Sequence, residues 1–153
     1  MELNADWVVG FVDGEGCFHV SVNRHPEMAL GYQVLPEFVV VQHRRDRDVL
    51  FALKQFFGAG VVRSNHDDRD CWRIRKLDAL LKVCDFFLQH PLKTKKNIDF
   101  RKFRSILLLM AQRRHLGRAG LIEIIDIAME MNSSIRPALE EARREAKRAA
   151  GTG

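Results

Sequence analysis

Two carboxylates stand two residues apart at the end of an apolar run. The stretch WVVGFVDGEG, residues 7–16, sets Asp13 and Glu15 among Gly10, Gly14 and Gly16. The residues before them suit a buried helix, so the acids fall at its carboxyl end. The helix macrodipole is negative there and disfavours a carboxylate. A cation resolves the conflict, because carboxylates and the unpaired carbonyls of a last helical turn are hard oxygen ligands suited to Mg²⁺. Gly10 and Gly14 are four apart and share one helical face. The rest of that face is apolar and carries Trp7 and Phe11. Small residues at this spacing let two helix backbones approach closely. The helix is therefore expected to pack against a second copy of itself, bringing two carboxylates near enough to share metal ions.

Basic residues supply a second kind of chemistry. Between Pro91 and Arg118 stand Lys93, Lys95, Lys96, Arg101, Lys102, Arg104, Arg113, Arg114 and Arg118, opposed only by Asp99. QHRRDR at 42–47 forms another cluster, and Arg63, Arg69, Arg73, Arg75 and Lys76 a third. One such cluster is as readily a solvated face; three in a small chain of formal charge +5 point to a phosphate backbone. The six histidines have no zinc-like spacing and read as surface or base-contacting residues.

The elements that must carry these groups can be read from periodicity. Asn4 or Asp6 caps a helix to about Asp13. CFHVSVNR (17–24) alternates as a half-buried strand, and YQVLPEFVVVQ (32–42) follows as a second, with Pro36 marking a bulge or an unneeded N–H. A helix over 46–57 ends at Gly58 and Gly60. VVRSN and CWRIR flank the polar turn HDDRD in a second hairpin, and a helix over 77–90 stops at Pro91. The basic loop 91–97 leads to helices at about 98–114 and 119–132 and a charged one at 136–150, with 151–153 frayed. The order α-ββ-α-ββ-α plus further helices predicts one α+β domain over 1–153, an antiparallel sheet with helices on one face.

The outward faces of that sheet carry His19, Ser21 and Asn23 on the first strand and Gln33, Leu35, Glu37 and Val39 on the second. The second hairpin presents Arg63, Asn65, Arg73 and Arg75. These donors and acceptors suit base edges better than the Lys, Glu and Thr of a plain solvated sheet, and a two-stranded ribbon fits the major groove. Strands of this length span about 30 Å, on the order of nine base pairs.

VVGFVDGEG (8–16) resembles the LAGLIDADG motif of homing endonucleases, and the element order through about residue 133 matches that family. The resemblance implies a saddle-shaped antiparallel sheet and a dimer interface built from Trp7, Gly10, Phe11 and Gly14. It implies that Glu15 and the Gly14 carbonyl bind the catalytic metal, Mg²⁺ with Mn²⁺ as substitute, and that Asp13 is structural. Gln42 falls on a residue that orders the nucleophilic water, and Lys95 on a lysine near the scissile phosphate; Arg44, Arg45 and Arg47 are expected to include another active-site or backbone contact. Arg136, heading the terminal helix, is expected to contact DNA. Val8, Val9 and Glu15 depart from the usual Leu, Ala and Asp. The implied activity is double-strand cleavage of a nearly palindromic DNA by a single-motif homodimer, leaving short 3′ overhangs. An RNA-splicing maturase and a catalytically silent DNA-binding regulator are the alternatives.

Composition sets limits. A hydrophobic fraction of 46% excludes a disordered chain. No apolar run is long enough to span a membrane, and no secretory signal is visible. Cys17, Cys71 and Cys84 are scattered, which argues against a disulfide framework or a zinc site and suits a reducing compartment, the cytoplasm or an organelle with its own DNA.

Overall fold

A computed structural model describes residues 1–131 and 137–151. Its elements are α1 (Ala5–Glu15), β1 (Gly16–Arg24), β2 (Tyr32–His43), α2 (Arg47–Phe57), β3 (Val61–Ser64), β4 (Arg69–Ile74), α3 (Leu77–Gln89), α4 (Lys96–Ala111), α5 (Arg118–Met129) and α6 (Pro137–Gly151), with short 3₁₀ turns at Arg44–Asp46 and Arg114–Leu116. The fold is α+β. Its four strands lie in the order β1-β2-β4-β3, and both β2–β4 and β4–β3 are antiparallel. The chain divides into two compact units, one of residues 1–18 and 37–100 and one of residues 19–36 and 101–153. Arg136 lies outside the described residues.

In the first unit, α1 starts at Asn4, whose side-chain oxygen accepts from the Trp7 N–H at 2.9 Å. The helix continues past Asp13 to Glu15, and β1 begins at the next residue with no loop between. Gly16 permits this junction: a Cβ there would stand 2.7 Å from Val12 Cγ1 and 3.3 Å from the Phe38 ring. The core is aromatic. Phe18 stacks on Phe38 at 4.8 Å between centroids, Phe57 stacks on Trp72 at 5.5 Å, and Phe87 meets both Phe38 and Phe57. Trp72 is fully buried and its indole N–H donates to the Ala59 carbonyl at 3.0 Å, so its one polar atom is satisfied. Gly58 closes α2 in the left-handed conformation, φ +68°, where a side chain would be strained.

β4 opens earlier than the sequence pattern suggests. Arg69 and Asp70, expected in the turn, are its first two residues, and the turn is tightened by Asp67 at φ +56°. The reason is ionic: Asp70 is fully buried, with Arg47 Nε 3.1 Å and Arg44 Nε 3.4 Å from its carboxylate. A buried carboxylate is tolerated only with such partners.

The second unit buries Val20, Val22 and Val34 of its hairpin portion and Phe103, Ile106, Leu107, Leu121, Ile124, Ile125 and Leu139 of its helices. Charges tie α6 down. Glu141 and Glu145 each pair with Arg24 at 2.5 Å, Tyr32 donates its hydroxyl to Glu145, and Arg143 reaches Asp126 at 2.5 Å. Burial, together with the Glu145 carboxylate, pushes the Tyr32 phenol up to about 12.

Candidate active site

The two faces of α1 differ. Val8, Val9 and Val12 are buried, whereas Trp7, Gly10 and Gly14 are exposed and Phe11 is half-buried. Those four positions follow the i, i+3, i+4, i+7 spacing of one helical stripe. Trp7 and Phe11 stack on each other at 4.7 Å, and a Cβ added at Gly10 or Gly14 would meet nothing within 4 Å. Intrachain packing therefore accounts for Gly16 but not for Gly10 or Gly14.

Glu15, the last residue of the helix, is exposed. The Gln42 side-chain amide donates to Glu15 Oε2 at 3.1 Å and to the Val41 carbonyl at 2.9 Å. Gln42 shares its face of β2 with Val40 and Phe38, two and four residues back, and sits opposite Asp70 in the β2–β4 ladder. The core face of β2 thus ends in an amide at the tip of α1.

Asp13 is held differently from Glu15. Its carboxylate accepts from the Lys93 N–H at 2.8 Å, the Thr94 N–H at 3.1 Å and the Thr94 hydroxyl at 2.8 Å. Lys96 Nζ donates to the Val12 carbonyl at 3.1 Å, placing a cation on the last turn of α1. The Lys96 ammonium thus offsets the negative helix end, and together with the donors to Asp13 it fixes residues 93–96 beside the motif. Lys95, on the loop so held, is exposed. The helix expected from about residue 98 begins at Lys96, so the tail of the basic loop is helical.

Burial works to raise the Asp13 pKa, but hydrogen bonds from Lys93 and Thr94 and the Lys96 charge outweigh it and hold the carboxyl below the usual range. A depressed carboxyl stabilises the fold above its unfolded pKa and loses that contribution as pH falls through its folded one. The Tm difference between the intact chain and Asp13→Asn is therefore expected to be largest near neutrality and to close below about pH 4. A difference constant from pH 7 to pH 3 in thermal melts would contradict this role.

Arg44 and Arg47 anchor on Asp70, and Arg45 lies near Asp46 at 3.8 Å. His43 is committed to the same turn: its Nδ1 accepts from the Arg45 N–H at 3.1 Å and its Nε2 faces Asp68 at 2.8 Å. The nearby imidazole holds the Asp68 carboxyl below the usual range. Asp70 was hidden in the sequence by its place in a polar run, although Asp70, Trp72 and Ile74 share the two-residue period of a core face.

A metal at Glu15 must be judged on this donor set. Among the described residues no three His, Cys, Asp or Glu side chains converge. One chain offers the Glu15 carboxylate and neighbouring helix-terminal carbonyls, Gly14 among them. That fits Mg²⁺, which keeps several waters and binds through one or two carboxylates plus substrate phosphate.

The expected reading residues lie on the strands as follows. In the second unit, His19, Ser21, Gln33 and Leu35 are half-buried and Asn23 is exposed; Ser21 Oγ donates to the Leu35 carbonyl at 3.5 Å and accepts from Asn23 at 3.2 Å. In the first unit, Glu37, Val39 and Arg73 are half-buried, and Arg63, Asn65 and Arg75 are exposed. Val39, Arg73 and Val61 are directly opposite one another across three strands, with Arg63 diagonal to Arg73. Arg75 pairs with Glu37 at 2.9 Å, so two of these residues engage each other.

The sequence model of the LAGLIDADG endonuclease family matches residues 8–107, from the start of the motif through the first turns of α4. The chain belongs to the LAGLIDADG endonuclease family. It is 29% identical over 137 residues to "Probable intron-encoded endonuclease 3" of Neurospora crassa, covering 88% of this chain and 26% of that protein. It is 30% identical over 105 residues to "Probable intron-encoded endonuclease Cox1-I1b" of Schizosaccharomyces pombe, covering 68% and 27%. The chain thus spans only about a quarter of these curated relatives. Among solved structures of LAGLIDADG folds, the homing endonuclease I-TnaI superposes with a TM-score of 0.92 at 60% identity, over 95% of this chain and 99% of that one. The meganuclease I-SmaMI, solved bound to DNA, gives 0.90 at 31% identity, over 95% of this chain and 50% of that one. Among the described residues no helix is long and apolar enough to cross a membrane.

Proposed function

We propose that this chain is a site-specific DNA endonuclease of the homing type, acting as a C₂ homodimer with Mg²⁺, for which Mn²⁺ substitutes. The observation that carries the reading is the meeting of Glu15 and Gln42 at the exposed end of α1, 3.1 Å apart, on a helix whose outer stripe holds Trp7, Gly10, Phe11 and Gly14. One chain carries one such carboxylate, and a two-fold axis along the stripe supplies the second. The I-TnaI chain, matched over nearly its full length, and I-SmaMI, matched over half, support a unit that works in pairs. The intron-encoded names of the curated relatives support a mobile-intron origin and a setting in an organelle with its own DNA or in the cytoplasm.

In this reading Glu15 and the Gly14 carbonyl would hold the cation. When bound, a divalent cation lowers the pKa of the attacking water and stabilises the departing 3′ oxygen. Gln42 orients the water for in-line attack; the new P–O bond forms as the P–O3′ bond breaks, leaving a 5′ phosphate and a 3′ hydroxyl. Lys95, steadied by the Asp13 clasp on its loop, offsets charge growing on the phosphate. Cutting both strands across the minor groove leaves short 3′ overhangs. A supercoiled plasmid library of candidate sites, incubated with and without Mg²⁺, tests the reading. Linear product only with the metal is expected; bound but uncut DNA would leave a silent regulator, and activity on intron RNA alone a maturase.

Specificity is assigned to the sheet, with His19, Ser21, Asn23, Gln33, Asn65, Arg63 and Arg73 as readers. An Arg pairs bidentately with guanine O6 and N7. Arg73→Ala is expected to cost roughly 1–3 kcal/mol and to relax preference at one position per half-site. Selection from a randomised duplex pool reads this directly; a uniform loss over all sequences would mark Arg73 as a phosphate contact.

A further inference from the structure

At the far end of β4 from Gln42, a cavity of about 660 Å³ opens between the β3–β4 ribbon and the start of α3. Five of its lining residues are cationic, Arg63, Arg73, Arg75, Lys76 and Lys82, and one is acidic, Asp78. Its volume is that of a small-molecule site, but such sites are mostly apolar with few polar groups. A lining with a formal excess of four positive charges selects a polyanion instead.

The local bonding leaves that charge available. The side chains of Arg63, Arg73, Lys76 and Lys82 make no ion pair or hydrogen bond with the described residues, and Arg75 alone is paired, with Glu37. Asp78 turns its carboxylate to the Ala79 N–H at 2.8 Å, inside the first turn of its own helix. Lys76, at the N-cap of the 13-residue α3, makes no side-chain cap bond, so the positive helix end adds to the field.

Position separates the cavity from the cleavage site. Asp70 stands opposite Gln42, and Arg75 follows it by five residues of extended chain, about 17 Å at 3.3 Å per residue. The cavity therefore lies beside the β3–β4 ribbon, away from Glu15 and Gln42.

We propose that this cavity binds the phosphate backbone of duplex DNA flanking the stretch read by the sheet, with Lys76 and Lys82 as phosphate contacts. The assignment rests on the DNA-binding reading above and extends it to two residues off the sheet that carry no sequence information. Each phosphate neutralised releases condensed counterions, so each contact steepens the dependence of log K on log[salt] by about 0.9.

The test is fluorescence anisotropy with a labelled 40-base-pair duplex of arbitrary sequence, titrated between about 50 and 200 mM KCl. Both lysines are exposed, as is Lys54 on α2, which does not line the cavity and serves as a charge-matched control. Lys76→Met and Lys82→Met are each expected to reduce the slope by about 1, and the pair by about 2, with thermal melts unchanged and Lys54→Met without effect. Slopes equal to those of Lys54→Met, in a chain that still binds the duplex, overturn the cavity assignment and leave the DNA-binding reading intact. An intact chain with no salt-dependent duplex binding overturns both.

Discussion

Glu15→Gln is expected to abolish DNA cleavage while leaving the fold and DNA binding in place. Glu15 is exposed at the end of α1 and accepts a hydrogen bond from the Gln42 amide. The amide oxygen of the substituted side chain can accept the same bond, and the core residues Val8 and Val12 are untouched. What disappears is the carboxylate that a hard cation requires. Metal stabilisation of the transition state is worth several kcal/mol, so single-turnover cleavage should fall on the order of a thousandfold or more. Melting temperature and duplex affinity, measured alongside, should be near those of the intact chain. A variant that cuts at the normal rate in Mg²⁺ removes Glu15 from the metal site.

Gly10→Leu is expected to separate folding from assembly. A Cβ at Gly10 meets nothing within 4 Å inside the chain, so a side chain there starts into open space. Leucine is also the better helix former by about 1 kcal/mol, so the isolated chain should be as stable as before or slightly more so. Across a two-fold axis the same side chain is forced between two backbones, and overpacking of this kind costs roughly 1–3 kcal/mol. Both copies carry it, so dimer affinity should fall by about two orders of magnitude or more, and cleavage with it. Sedimentation equilibrium with parallel cleavage assays reads both. A Gly10→Leu chain that remains a dimer, or an intact chain that cuts both strands as a monomer, contradicts the helix-to-helix arrangement.

The element order was legible in the sequence because each element carries its own period: a two-residue alternation in CFHVSVNR, helical spacing in LDALLKVCDFF, and Gly58 or Pro91 as stops. Element bounds drifted where tertiary contacts decided them. Glu15 is helical because Gly16 lets the strand start at once, and Arg69 and Asp70 are strand because Arg44 and Arg47 draw the carboxylate inward. The motif glycines look alike in sequence but serve different ends: Gly16 relieves a clash within the chain, and Gly10 and Gly14 do not. The nearness of Gln42 to Glu15 followed from the family resemblance, not from spacing, since 27 residues separate them in the chain. The clasp of Asp13 on residues 93–94 had no local signal, because backbone N–H groups leave no mark in composition.

The most direct test of the account is cleavage of a randomised duplex library by the purified intact chain in Mg²⁺ and in EDTA, with the product ends sequenced. Metal-dependent breaks in both strands, short 3′ overhangs and a nearly palindromic recovered site spanning around two turns of duplex are expected. Cleavage that persists in EDTA, nicks confined to one strand, or a clearly asymmetric site would contradict it.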